Sequence, residues 1–180
     1  VSSTPLLIRL LRTVPHPFFD IVTEALNLLH PRFAGRGGLS YPPAEADGPA
    51  AARKDRERPF VREFYHQFRR LWDKALPVRL GLGHLLVQAD PAPLPGRQPD
   101  LLVWQLGENG APDRRLAVLA FACGSNPAAL DADLAALARY WDAGYDAAVL
   151  VRIGPAAEEP LPPAGVTILP FDTDRWQATP

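Results

Sequence analysis

At 180 residues the chain is long enough for one domain with a real core. Its net charge of −1 is too low for a dedicated nucleic-acid binder, and no apolar run approaches the ~20 residues that span a bilayer. Cys123 is the sole cysteine, which excludes an internal disulfide and fits a reducing, cytoplasmic setting. "PLLIRLLR" near the start has no small-residue cleavage site after it, so no signal peptide is expected.

Residues 1–33 read as an N-terminal helical extension. "HPFFDIVTEALNLLHP" puts Phe18, Ile21, Val22, Ala25, Leu26 and Leu29 on one helical face, with Pro17 and Pro31 as brackets. Residues 34–56 are rich in Gly, Pro and Ala and read as a linker. An α/β domain is expected over 57–180. It opens with the helix "RPFVREFYHQFRRLWDKA", whose apolar stripe is Phe60, Phe64, Phe68, Leu71 and Ala75. Pro59 suits a first turn and Pro77 a stop. Glu63, Gln67 and Arg70 flank the stripe, while His66 and Arg69 point away from it.

Strands follow at 84–90, 100–107 and 114–122, the last two joined by the turn "ENGAPD". His84 stands at the first strand's start. The next helix, "NPAALDADLAALARYWDAG", presents Leu130, Leu134, Leu137, Ala138 and Trp141 on one face and ends at Gly144. Strands at 147–154 and 165–171 complete the order. Helix, three strands, helix and one or two strands predict an α/β sandwich on a mixed sheet. A meander leads through a crossover helix to a strand beside the third.

Charge is unevenly spread. Residues 53–79 hold nine basic side chains against four acidic, and residues 127–180 hold eight acidic against three basic. Most such runs are solvated faces; Arg62, Arg69 and Arg70 are the candidates for phosphate contacts.

The candidate chemistry lies at Pro99-Asp100, at the mouth of the second strand, and at the abrupt end of the third, "LAVLAFACGSN". Alternation puts residues 120 and 122 on one face and Phe121 on the other. With Glu63 in the preceding helix, this order resembles the PD-(D/E)XK nuclease superfamily over residues 57–154. The resemblance implies a restriction-endonuclease-like fold with a central sheet of four to five strands flanked by helices. It implies Asp100, Glu63 and the Phe121 carbonyl as ligands of a Mg²⁺ ion in a deoxyribonuclease. It also places Ala120 where the family carries an acid and Ala122 where it carries a lysine. Glu63 has a plainer reading too, as a boundary residue paired with Gln67 or Arg70 along its helix.

Three readings follow. The first is a catalytically inactive nuclease-like domain kept as a binding or assembly module, with vestigial positions Glu63, Asp100, Ala120 and Ala122. The second is a nuclease whose Glu and Lys were replaced by alanine by design. The third is an active enzyme with relocated ligands: Asp100, Glu63 and Asp131 or Asp133. No cofactor beyond weak Mg²⁺ is expected on the first, because hard divalent sites need several carboxylates. A protein partner or a second copy is expected ahead of nucleic acid bound through residues 57–75. Within one chain, the basic and acidic segments could also meet. Arg139 is the only basic residue of the helix "NPAALDADLAALARYWDAG" and points toward the face opposite Leu134 and Leu137, so it does not replace the missing lysine.

Overall fold

A computed structural model describes residues 16–30, 49–73, 85–89, 98–108, 110–123, 127–154 and 160–178, with side chains described at 59–72 within the second of these stretches. The elements are α1 (His16–Asn27), α2 (Pro49–Asp73), β1 (Leu85–Ala89), β2 (Leu101–Gln105), β3 (Arg114–Cys123), α3 (Pro127–Asp142), β4 (Ala147–Gly154), β5 (Val166–Asp172) and β6 (Gln177–Ala178). They form one six-stranded mixed sheet in the order β1-β2-β3-β4-β5-β6. β1, β2 and β3 are an antiparallel meander, β3, β4 and β5 run parallel, and β6 turns back antiparallel. The expected meander and crossover through α3 are therefore present. The sheet is one to two strands wider than expected, because the two-residue β6 carries too little pattern to register in the sequence.

The two sheet faces bury different helices. Leu101, Val103, Leu119, Phe121, Val149, Val151, Leu169 and Phe171 share one apolar cluster with α1 and α2. Leu102, Val118, Ala120, Ala122, Ala148 and Leu150 share the other with Leu134, Leu137 and Tyr140 of α3. β4 is buried on both faces along its whole length, as a central parallel strand must be.

α1 belongs to this core. Phe18, Ile21, Val22, Ala25, Leu26 and Leu29 are all buried in the α2-side cluster, as their spacing predicts. The chain's other end clasps it: the Ala178 N–H donates to Asn27 Oδ1 at 2.8 Å, and Trp176 Nε1–H donates to the Leu29 carbonyl at 2.5 Å. Within the expected N-terminal helical extension, residues 16–27 are helical and pack into the same core as α2.

α2 begins at Pro49, ten residues before Pro59, so residues 49–56 of the predicted linker are helical. Pro59 lies inside the helix and denies the Asp55 carbonyl its usual bond. Alanine and charged residues at 50–58 favour helix without an apolar stripe to announce it. The remaining linker residues 34–48, and Ala75, Pro77 and His84, lie outside the described residues.

α3 is rolled relative to the predicted stripe. Leu134 and Leu137 are buried as expected, but Asp133, Ala136 and Tyr140 complete the inner face, while Leu130, Ala138 and Trp141 are only half-buried. Trp141 lies over Gly165, where a Cβ would stand 2.3 Å from the indole and the backbone has φ +79°. Gly144 (φ +98°) ends the helix as predicted. Its N–H donates to the Trp141 carbonyl and the Tyr145 N–H to the Tyr140 carbonyl, a Schellman pairing. Two arginines at the start of β3 pin this turn. Arg114 Nε pairs with the buried Asp146 at 2.5 Å, and Arg115 Nη1 donates to the Ala143 carbonyl.

The β5–β6 turn is held by Asp172, whose Oδ1 accepts the N–H groups of Asp174 and Arg175 at 2.8 and 3.2 Å. Those backbone donors, with lesser help from the Arg175 and Arg152 charges, hold its carboxyl below the ordinary aspartate range against the opposing effect of burial. A depressed folded-state value stabilises the fold above the ordinary aspartate value of about 3.9 and is lost as pH falls through the folded value. The unfolding midpoint of the wild type should therefore exceed that of Asp172→Asn at pH 7, and the gap should narrow as pH falls below the ordinary aspartate range. A gap that persists unchanged at low pH would deny the carboxylate this role.

Candidate functional site

The end of β2 meets the end of β3. Leu101 pairs with Leu119, so continuing the antiparallel register one step brings Asp100 level with Ala120. The Asp100 N–H donates to the Leu119 carbonyl at 3.0 Å. Asp100 Oδ2 accepts the Phe121 N–H at 2.7 Å. An acceptor of a strand N–H lies close to the plane of the sheet, so this carboxylate extends the β2–β3 ladder where β2 has not yet begun. Strand geometry turns the Phe121 carbonyl to the same side as its N–H, toward Asp100. Asp100, Phe121 and the 120–122 strand end are thus brought together as the sequence predicts. Pro99 is buried beside them.

Ala120 and Ala122 face α3 and are only 7 % and 3 % exposed. They lie in a packed layer rather than on the wall of an open cleft, because Ala136 lets α3 approach the sheet closely. Ala120 borders a shallow recess whose other walls are Gln98, Pro99, Asp133, Ala136, Leu137 and Tyr140. Asp133 is buried there at 4 % exposure, whereas Asp131 is exposed. Of the two acids proposed from α3, only Asp133 reaches the neighbourhood of position 120.

Glu63 lies on α2, which packs on the opposite face from Ala120 and Ala122. Its neighbour Phe64 sets its ring 4.9 Å from that of Phe121. The Glu63 carboxylate accepts Gln67 Nε2–H at 2.6 Å, and Gln67 Oε1 accepts from Arg70 Nη1 at 3.3 Å. The three residues form a chain along the helix, which is the plainer of its two readings. Among the described residues no cluster of three or more His, Cys, Asp or Glu is arranged to hold a metal ion.

The sequence reading missed Arg152. On β4 it pairs with Ala122 in parallel register and is 7 % exposed, on the face that Ala122 shares. A Cβ on Gly154 would lie 3.7 Å from its Nη1, so the guanidinium runs along the strand toward Gly154 and Asp172. A buried cation therefore does stand beside position 122, contributed by the next strand rather than the next helix. A single charged residue inside the otherwise apolar "AAVLVRIG" was the available signal.

On the opposite side of the molecule Arg62, His66 and Arg70 are exposed along α2, and Arg69 is half-buried. Because α2 and α3 occupy opposite sheet faces, the acids of α3 do not neutralise these arginines within one chain. Cys123 is half-buried against the α2-side cluster, consistent with a small strand-end residue. Trp72 is buried, while Trp104 and Trp141 are half-buried against the α3-side cluster. No helix among the described residues is long and apolar enough to cross a membrane. Comparison with family models, curated proteins and solved structures returned no match for this chain.

Proposed function

We propose that this chain is a catalytically silent, nuclease-like domain that serves as a binding or assembly module. The observation that supports this most is the employment of Asp100. Its carboxylate is taken up by the Phe121 N–H, and the two strand positions beside it are alanines packed under α3. A hard divalent cation needs several oxygen ligands held together, and both expected ligand side chains are used structurally: Asp100 along the strand, Glu63 along its helix. A protein partner is favoured over nucleic acid, since the exposed arginines of α2 share their helix with Glu63 and the whole chain is near neutral. Charge pairing between α2 and α3 of two copies is disfavoured as a route to a dimer. These surfaces lie on opposite faces, and such a heterologous contact does not close on itself by a two-fold axis.

A second reading draws on Asp133. Buried beside Ala120, it is the acid best placed to substitute for the missing strand carboxylate in a relocated active site. One experiment separates the two. The purified chain, with Mg²⁺ or Mn²⁺, is expected to leave plasmid, linear duplex and single-stranded DNA uncut, and Asp133→Asn is expected to change nothing. Metal-dependent cleavage lost in both Asp100→Ala and Asp133→Asn would replace the first reading with the second.

A further inference from the structure

Ahead of β5 the chain runs as Pro160-Leu161-Pro162-Pro163. Each proline ring fixes its φ near roughly −65°, and Leu161 and Pro162 each precede a proline, which keeps both out of the helical region. No peptide bond among the described residues is cis. The four residues therefore follow a polyproline II path, with three residues per turn. Its far end is fixed. The Val166 N–H donates to the Pro163 carbonyl at 3.1 Å and closes a β-turn. Gly165, third in that turn, has φ +79°, whereas Ala164 is not in the positive-φ region, which makes the turn type II. Gly165 lies against the Trp141 indole with no room for a Cβ, and β5 follows at once.

The three prolines are half-buried, so the segment lies along the domain with Leu161 turned outward. Leu161 is 95 % exposed, nearly twice the value of the next most exposed large apolar side chain, Leu28 at 49 %. Single apolar side chains on a surface are ordinary. This one stands on a backbone already ordered by proline sterics and a packed turn, so little conformational freedom is left to lose on binding. Glu158 and Glu159 come immediately before it in the sequence.

We propose that residues 160–163 are a docking segment, anchored by Leu161, for a protein partner that reads polyproline II backbone in an aromatic-lined groove with a basic rim. The groove takes the Leu161 side chain and the proline edges that remain exposed beside it. The basic rim answers Glu158 and Glu159. This gives the proposed binding module a class of partner and rests on that reading.

The test titrates the intact chain calorimetrically with purified SH3, WW and EVH1 domains, a panel with groove rims of both signs. At least one basic-rimmed domain is expected to bind with a Kd of about 100 μM or tighter. Leu161→Ala should weaken that binding about tenfold or more and leave the melting temperature unchanged, because almost nothing packs on this side chain. Glu158→Gln with Glu159→Gln should weaken it less and flatten its salt dependence. Binding that Leu161→Ala leaves intact, or no binding by any domain of the panel, overturns the proposal. Neither result touches the reading of a silent module, which falls to metal-dependent DNA cleavage instead.

Discussion

Replacing Phe64 with alanine is expected to lower stability by about 3–5 kcal/mol, the usual cost of a large aromatic cavity in a core. Phe64 is fully buried and stands where α2 meets both α1 and the sheet. Its ring stacks on Phe68 at 5.6 Å and tilts against Phe121 at 4.9 Å, while Phe68 contacts Phe18 of α1 at 6.1 Å. Removing it loosens the helix from the β3 end whose Phe121 N–H bonds Asp100, so the loss spreads to both neighbours. An exposed comparison such as Leu86→Ala, on edge strand β1, should cost less than about 0.5 kcal/mol. Denaturant midpoints of the two variants provide the check. A Phe64→Ala cost near that of Leu86→Ala would show that α2 does not pack on the sheet as described.

Much of this packing was readable in the sequence, for physical reasons that also explain the failures. Helical spacing identified the five buried residues of α1, the buried Leu29 just beyond it and the phenylalanines of α2, because one-sided burial imposes a period. Apolar runs and the Asn-Gly and Pro-Asp signals located β2 and β3 to within two residues at each end. The start of α2 was missed because residues 49–58 carry no apolar residues at helical spacing in the sequence, and a Gly/Pro/Ala-rich composition looks the same in a loop as in an alanine-rich helix. The roll of α3 was missed because alanines leave the apolar arc too wide to orient. Asp133 and Tyr140 then seemed to belong outside it. Arg152 was missed because its relation to Ala122 is a matter of inter-strand register, which sequence spacing within either strand does not contain. The local elements were thus legible, and the contacts between elements distant in the chain were not.

That distinction bears directly on testing the proposed nuclease ancestry by substitution at positions 120 and 122. The double substitution Ala120→Glu with Ala122→Lys is expected to lose at least about 3 kcal/mol, near 6–12 °C in melting temperature. Both side chains enter a layer packed under α3, where each enlargement typically costs about 1–3 kcal/mol before any charge is buried. The charges are also mismatched. A lysine at 122 would sit in register with buried Arg152, and a glutamate at 120 would share its recess with buried Asp133. Like charges on adjacent strands or facing walls repel. The exchanged pair, Ala120→Lys with Ala122→Glu, introduces comparable volume with the opposite charges at each position. It should lose measurably less stability than the restoring pair. Thermal melts of both doubles, with and without Mg²⁺, give the comparison. If the restoring pair is the more stable even without metal, the surroundings of Ala120 and Ala122 are not those described. If it is stabilised by Mg²⁺ and nicks plasmid, Asp100 and the new carboxylate have formed a metal site, and the proposed silence of the chain is traced to its two alanines alone.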